Sequence, residues 1–295
     1  MNDDGNRWVR LSRGFYLLGI GTFLLLTTQS LLPAMFWADA AAYWPVLLVA
    51  IGIRLVFERS PFPWLVLLGP VLVLGTLMYV ALHAGGAETE GDWTALRLER
   101  PADASAWTLE GRLALAGFDV ESKRLPRNLL AEGRTTEAGR HSVRVETAAG
   151  GRVRVTNSVW KNAFIVLPGR RRARCELGVA AGLPVALDLD LAFTATRLNL
   201  PATPVSSLAI DGAFNDLGLR LGAPASDVRL DLDGAFNQVE IEVPAGTPVR
   251  VTTDGVFNVV DRGGAAGGAA GGADGAPGYR LALDGVFNRV LVRTR

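Results

Sequence analysis

The sequence predicts a membrane protein of mixed class: an N-terminal anchor of three transmembrane α-helices followed by an all-β domain wound as a solenoid of about 21-residue repeats. Three observations carry this. A short phrase occurs four times, as Asp211-Gly-Ala-Phe-Asn215, Asp233-Gly-Ala-Phe-Asn237, Asp254-Gly-Val-Phe-Asn258 and Asp284-Gly-Val-Phe-Asn288. Its first three asparagines lie 22 and then 21 residues apart, and the fourth follows 30 later. Long apolar runs are confined to the first third of the chain, and period-two alternation fills the rest.

The first 13 residues are polar and carry Arg7, Arg10 and Arg13. Helices are expected at 14–32, 40–57 and 64–82 within a transmembrane region of 14–83, since about 20 apolar residues span a hydrocarbon layer. A basic start before an apolar run also describes a signal peptide, but two further runs follow it. Arg54 and Arg59 flank the second turn-around, while His83, Glu88, Glu90 and Asp92 follow the third helix. The positive-inside rule then puts residues 1–13 in the cytoplasm and the C-terminal domain outside the cytoplasmic membrane, which makes a multi-pass membrane protein.

Residues 84–92 read as a linker, 93–184 as a divergent all-β region, and 185–295 as the β-repeat domain, with a Gly/Ala-rich insertion at 263–278. Within a repeat, Leu230 and Leu232 alternate on even numbers before the phrase, whereas Val239, Ile241 and Val243 alternate on odd numbers after it. One face stays inward through that slip only if the chain bends there. The expectation is Phe214, Phe236, Phe257 and Phe287 stacked inside, with Asn215, Asn237, Asn258 and Asn288 stacked at a left-handed corner. Gly212, Gly234, Gly255 and Gly285 follow Asp211, Asp233, Asp254 and Asp284 as ordinary Asp-Gly turn pairs. Phe193 lies 21 residues before Phe214 and marks a degenerate earlier copy.

The chemistry-bearing residues are few. Thirty basic and 29 acidic residues give a net charge of +1, which argues against a nucleic-acid partner. The two histidines, His83 and His141, stand apart, and the lone Cys175 reads as a small buried hydrophobe. No residue is therefore expected to act in catalysis or to hold a cofactor or metal. Stacked aspartates could invite Ca²⁺, and Asp188, Asp190, Asp231 and Asp233 could serve sugar cleavage, but Asp-Gly turns and a solvated Leu-Asp-Leu-Asp face explain them without either. Arg170, Arg171, Arg172 and Arg174 form the one dense basic cluster, a solvated turn or a contact for anionic headgroups.

The Trp44-Pro-Val-Leu-Leu-Val-Ala-Ile-Gly-Ile53 phrase among three apolar helices, the Leu-Asp-Leu-Asp-Gly-Ala repeats and Val243-Pro-Ala-Gly-Thr-Pro-Val-Arg-Val251 resemble the LiaF-type membrane proteins, also called cell-wall-active-antibiotic response proteins. That resemblance covers the membrane part and residues from about 185 onward. It implies a toast-rack β-domain and a non-enzymatic scaffold or regulator of envelope stress, whose partners would be membrane lipid and a sensor kinase, another envelope protein, or a second copy of the chain. Phe-Asn stands here where many relatives carry small residues. A tethered β-helical carbohydrate enzyme and a self-assembling structural protein are the competing readings.

Overall fold

A computed structural model describes residues 3–28, 31–32, 36–41, 43–58, 60–83, 92–101, 105–137, 143–148, 152–157, 173–263 and 276–295. Most of the expected linker, the body of the Gly/Ala-rich insertion, Arg59, His141 and Arg170 to Arg172 lie outside the described residues. The chain divides into two compact units, a helical one within residues 1–87 and a β unit beyond residue 88.

The helical unit contains α1 (Asp3–Thr28), α2 (Phe36–Ala41), α3 (Trp44–Phe57) and α4 (Leu68–His83), with a 3₁₀ turn at Pro63–Leu67 leading into α4. Two stretches are long and apolar enough to cross a bilayer, Arg7–Thr27 and Pro63–Leu82. The expected second crossing at 40–57 is divided instead between α2 and α3. The 14 residues of α3 rise about 21 Å at 1.5 Å each, short of a hydrocarbon layer of about 30 Å. Pro45 suits the first turn of α3, where its missing N–H has no helical acceptor to lose. A Cβ on Gly19 would meet the Leu74 side chain of α4 at 2.1 Å, so Leu74 would have to move to admit a larger residue there. Phe36 is fully buried, stacked on Phe23 at 5.5 Å, and the neighbouring Trp37 donates its indole N–H to Thr27 at 2.9 Å.

Seventeen strands follow among the described residues. The first seven are β1 (Asp92–Glu99), β2 (Trp107–Ala114), β3 (Ala116–Lys123), β4 (Leu129–Glu137), β5 (Val143–Ala148), β6 (Arg152–Asn157) and β7 (Ala173–Ala180). The repeats supply β8 (Val185–Ala192), β9 (Ala195–Leu200), β10 (Val205–Ala213), β11 (Asp216–Leu221), β12 (Val228–Ala235) and β13 (Gln238–Val243). The last four are β14 (Val249–Thr253), β15 (Val259–Gly263), β16 (Tyr279–Leu283) and β17 (Arg289–Thr294). They build two open sheets, in the orders β1-β4-β7-β3-β9-β11-β13-β17-β15 and β14-β16-β12-β10-β8-β2-β6-β5. Each repeat gives one strand to each sheet, joined at the phrase, and successive repeats pair in parallel without a shift of register from β10 to β12 and from β11 to β13. Leu109, Leu189 and Leu230 of one sheet, with Phe118, Leu198 and Ile241 of the other, are at most 0% exposed and share one core. The change from even to odd numbering is therefore real, because the chain crosses from one sheet to the other at the phrase.

The pairing sets an order in space that the sequence leaves open. The fourth repeat does not follow the third in space: β16 sits between β12 and β14, and β17 between β13 and β15. Residues 93–184 continue the same two sheets, since β2 and β3 pair in parallel with β8 and β9. Beyond them β4 runs antiparallel to β7, and β5 antiparallel to β6, so this end of the stack is closed by reversed strands.

Candidate functional site

The phrase is the most regular feature of the β unit, and each of its residues has a separate reason. Phe193, Phe214, Phe236, Phe257 and Phe287 all take φ between 53° and 59°, so Phe occupies the left-handed corner expected of Asn. An aromatic residue is costly there. What offsets the strain is a ladder of rings: centroids lie 5.0, 4.8, 5.0 and 4.9 Å apart in the order Phe193, Phe214, Phe236, Phe287, Phe257, with planes within 11°. The ladder is not inside, as the sequence suggested. Four of its rings are half-buried on the corner, and Phe257 is 69% exposed.

The inward position belongs to Asn. Asn215, Asn237 and Asn288 are buried, at 0%, 7% and 2% exposure. Asn215 Nδ2 donates to Leu191 O at 2.9 Å and to Asn237 Oδ1 at 3.0 Å, while its Oδ1 accepts the Thr194 N–H at 3.0 Å. The same bond runs on from the Asn237 N–H to Asn288 Oδ1 at 3.1 Å and from the Asn288 N–H to Asn258 Oδ1 at 3.1 Å. A primary amide carries two donors and a two-lone-pair acceptor, which is what a corner with unpaired peptide groups above and below requires. Leu115, at φ 54°, holds the same corner in the rung before Phe193, a member the sequence did not reveal because Ala114 alone matches the phrase. The aspartates make turns: Asp254 and Asp284 Oδ1 accept the N–H of the following glycine at 2.7 and 2.6 Å.

The sheets' outer faces differ in charge. On the eight-stranded sheet Asp190, Asp211 and Asp233 are in register on adjacent strands. Burial and then the charges of Asp233 and Asp190 raise the Asp211 carboxyl above its ordinary value of 3.8. A raised pKa means that the ionised form is the disfavoured one in the folded chain. Stability from protonated Asp211 is complete at pH below its ordinary value and is lost as pH rises through the raised one. Asp211 is exposed and water screens its neighbours' charges, so Asp211→Asn is expected to gain no more than about 0.5 kcal/mol and to melt about 1–2 °C higher than the parent at neutral pH, with the gap closing under acid conditions. Equal melting temperatures at both pH values would refute the like-charge account. The four carboxylates considered for sugar cleavage do not converge as an isolated pair: Asp190 bonds Arg112 at 3.1 Å and Asp231 bonds Arg229 at 2.7 Å. Among the described residues no three His, Cys, Asp or Glu side chains form a metal-holding group.

The nine-stranded sheet carries a shallow groove of about 520 Å³, lined by Arg97, Glu121, Lys123, Glu132, Arg197 and Asn199 among others. Its charges alternate and cross-link. Arg134 bonds Glu176 at 2.7 Å and lies 4.2 Å over the Trp93 ring, and Arg197 bonds Asp216 at 2.7 Å. Arg174, the described member of the expected basic cluster, bonds Asp119 at 3.0 Å and so belongs to this face. The groove gathers β1, β4, β7, β3 and β9, which are not consecutive, so no local pattern announces it. Beneath it Cys175 is buried, and its thiol is pushed up to about 12 by burial and by the nearby Asp119 and Glu176, so it remains protonated and inert at neutral pH.

No family model matches the chain, and no match is found among curated proteins. One solved structure, of a "putative cell adhesion protein" from Clostridium sporogenes, is similar over 70% of this chain and 100% of its own, with a TM-score of 0.57 and 12% identity. A "putative adhesin" from Bacteroides fragilis aligns over the same shares at a TM-score of 0.30 and 8% identity. At that identity the first shows a shared β-rich fold, and the second carries no argument.

Proposed function

We propose that this protein is a non-enzymatic, membrane-anchored binding protein, whose helices fix a β-solenoid stack that docks another envelope protein on its nine-stranded face. The observation that carries this is the groove: a wide, shallow, charge-alternating surface on a rigid sheet suits a macromolecular partner better than a small substrate, which is ordinarily enclosed in a deep apolar pocket. The apolar outside of the helices supports the anchor, since Leu17, Leu18, Leu55 and Leu82 are each 70% exposed or more. The likeness to a protein described as one of cell adhesion supports binding as the mode of action. The resemblance to LiaF-type proteins supports the finer reading of three crossings with the β unit outside the cytoplasmic membrane, and of restraint of a sensor kinase during envelope stress.

The test is site-specific photo-cross-linking of the full-length chain in intact cells. A photoreactive side chain at Glu121 or Asn199, in the groove, is expected to capture one envelope protein reproducibly, whereas the same group at Ser207 on the opposite sheet is not. Capture of the same set from all three positions, or from none, would overturn the assignment of the groove.

A further inference from the structure

We propose that the β14–β15 end of the stack docks a second copy of this chain about a two-fold axis running along the strands. The two ends of the stack are unlike. Reversed strands β4 and β5, and then β1, cover one end, whereas the other stops at a repeat of the same kind as those inside. At that end Val256, Phe257 and Val259 are 53%, 69% and 54% exposed. Val249, Val251 and Val260 face the core but are only partly buried. Every interior rung shows what covers such a surface, namely another rung with the same side chains.

Both sheets end at this one repeat, so an occupant must extend two sheets at once. A single extended peptide covers only one edge, but a second copy covers both. A two-fold axis along the strands sets β14 antiparallel to the partner's β15, and β15 antiparallel to the partner's β14. The charges select a register. With Arg250 opposite the partner's Asp261, both on the outer face, Val251 meets the partner's Val260 on the inner face and Thr252 meets the partner's Val259 on the outer one. The pairing is then formed twice, with both Arg250–Asp261 contacts satisfied. Such an isologous contact closes after two copies and leaves no β14 or β15 edge for a third.

The experiment uses the full-length chain in detergent micelles. Thr252→Cys and Val259→Cys in one chain lie on different sheets, so mild oxidation is expected to give a covalent dimer, while either single variant gives at least ten-fold less. Buried Cys175 does not compete. Arg250→Glu is expected to weaken dimerisation at least ten-fold by light scattering, and Arg250→Glu combined with Asp261→Arg to restore it. Circular dichroism of each variant checks that the strands are intact. Absence of the Thr252–Val259 cross-link overturns the proposal, and so does a dimer of full mass that forms without it through the helices. An Arg250→Glu dimer as tight as the parent's does the same. The groove's cross-links are read separately, so failure here is distinguishable from failure of the proposed function.

Discussion

Asn215→Ala is expected to lower the stability of the β unit by about 3 kcal/mol, and its melting temperature by about 6–12 °C. The side chain is fully buried, and truncation leaves Leu191 O and the Thr194 N–H each short of a partner in a place that water does not reach, while Asn237 Oδ1 keeps the Asn215 N–H at 3.2 Å. The loss exceeds one hydrogen bond because each deserted group keeps its desolvation cost. The ladder supplies an internal scale. Asn258 is its last member, only half-buried, and water can replace what its amide gives to Gly285 O at 3.1 Å. Asn258→Ala is therefore expected to cost about 1 kcal/mol. Thermal unfolding of the full-length chain, followed by far-ultraviolet circular dichroism, measures both, and equal losses at the two positions would contradict the role given to burial.

Gly234→Ala should be worse tolerated still. Gly234 has φ +132°, and a Cβ there would stand 1.7 Å from Gly212 O in the adjoining rung, nearer than any non-bonded carbon and oxygen approach. Rotating a side chain cannot relieve the clash, because the obstacle is backbone. The rungs must separate, which breaks the Asn and Phe ladders on both sides. A loss of about 4 kcal/mol or more, or failure to recover folded protein, is the expected outcome. Gly246 provides the control: its φ is +79°, but nothing lies within 4 Å of an added Cβ. Gly246→Ala carries only the conformational strain, about 1–2 kcal/mol. Should the two variants melt together, the close approach between rungs would not be what selects glycine in the phrase.

Much of the β unit was legible in the sequence because repetition amplifies weak signals. Four copies of Asp-Gly-Ala/Val-Phe-Asn fixed where the chain turns, and the shift from even to odd apolar positions showed that it changes face there. Phe193 was found by spacing alone. The roles of Phe and Asn were exchanged, since intrinsic preference assigns the left-handed corner to Asn and the interior to Phe. The structure inverts both, because amides buried at a corner satisfy peptide groups that rings cannot, and rings stacked in half-exposed positions offset their own strain. Order in space was not legible either. Parallel neighbours are chosen by register across a sheet, and the identical Asp254 and Asp284 phrases give no sign that the second inserts ahead of the first. The groove depends on that same non-sequential order at the opposite end, where β4 and β7 meet. Two stretches long and apolar enough to cross a bilayer were legible by length, while Trp44–Phe57 is shorter than the continuous run of apolar letters implied.

The insertion of the fourth repeat between the second and third has a consequence for how the chain is made. Ribosomal synthesis delivers the third repeat first, when the place it will finally rest against does not yet exist. A nascent chain at that stage can park Val249–Thr253 beside β12, in the berth that Tyr279–Leu283 later claims, and must then give it up. The third repeat therefore reaches its final place only after Tyr279–Leu283 and Arg289–Thr294, its neighbours in the two sheets, have been synthesised.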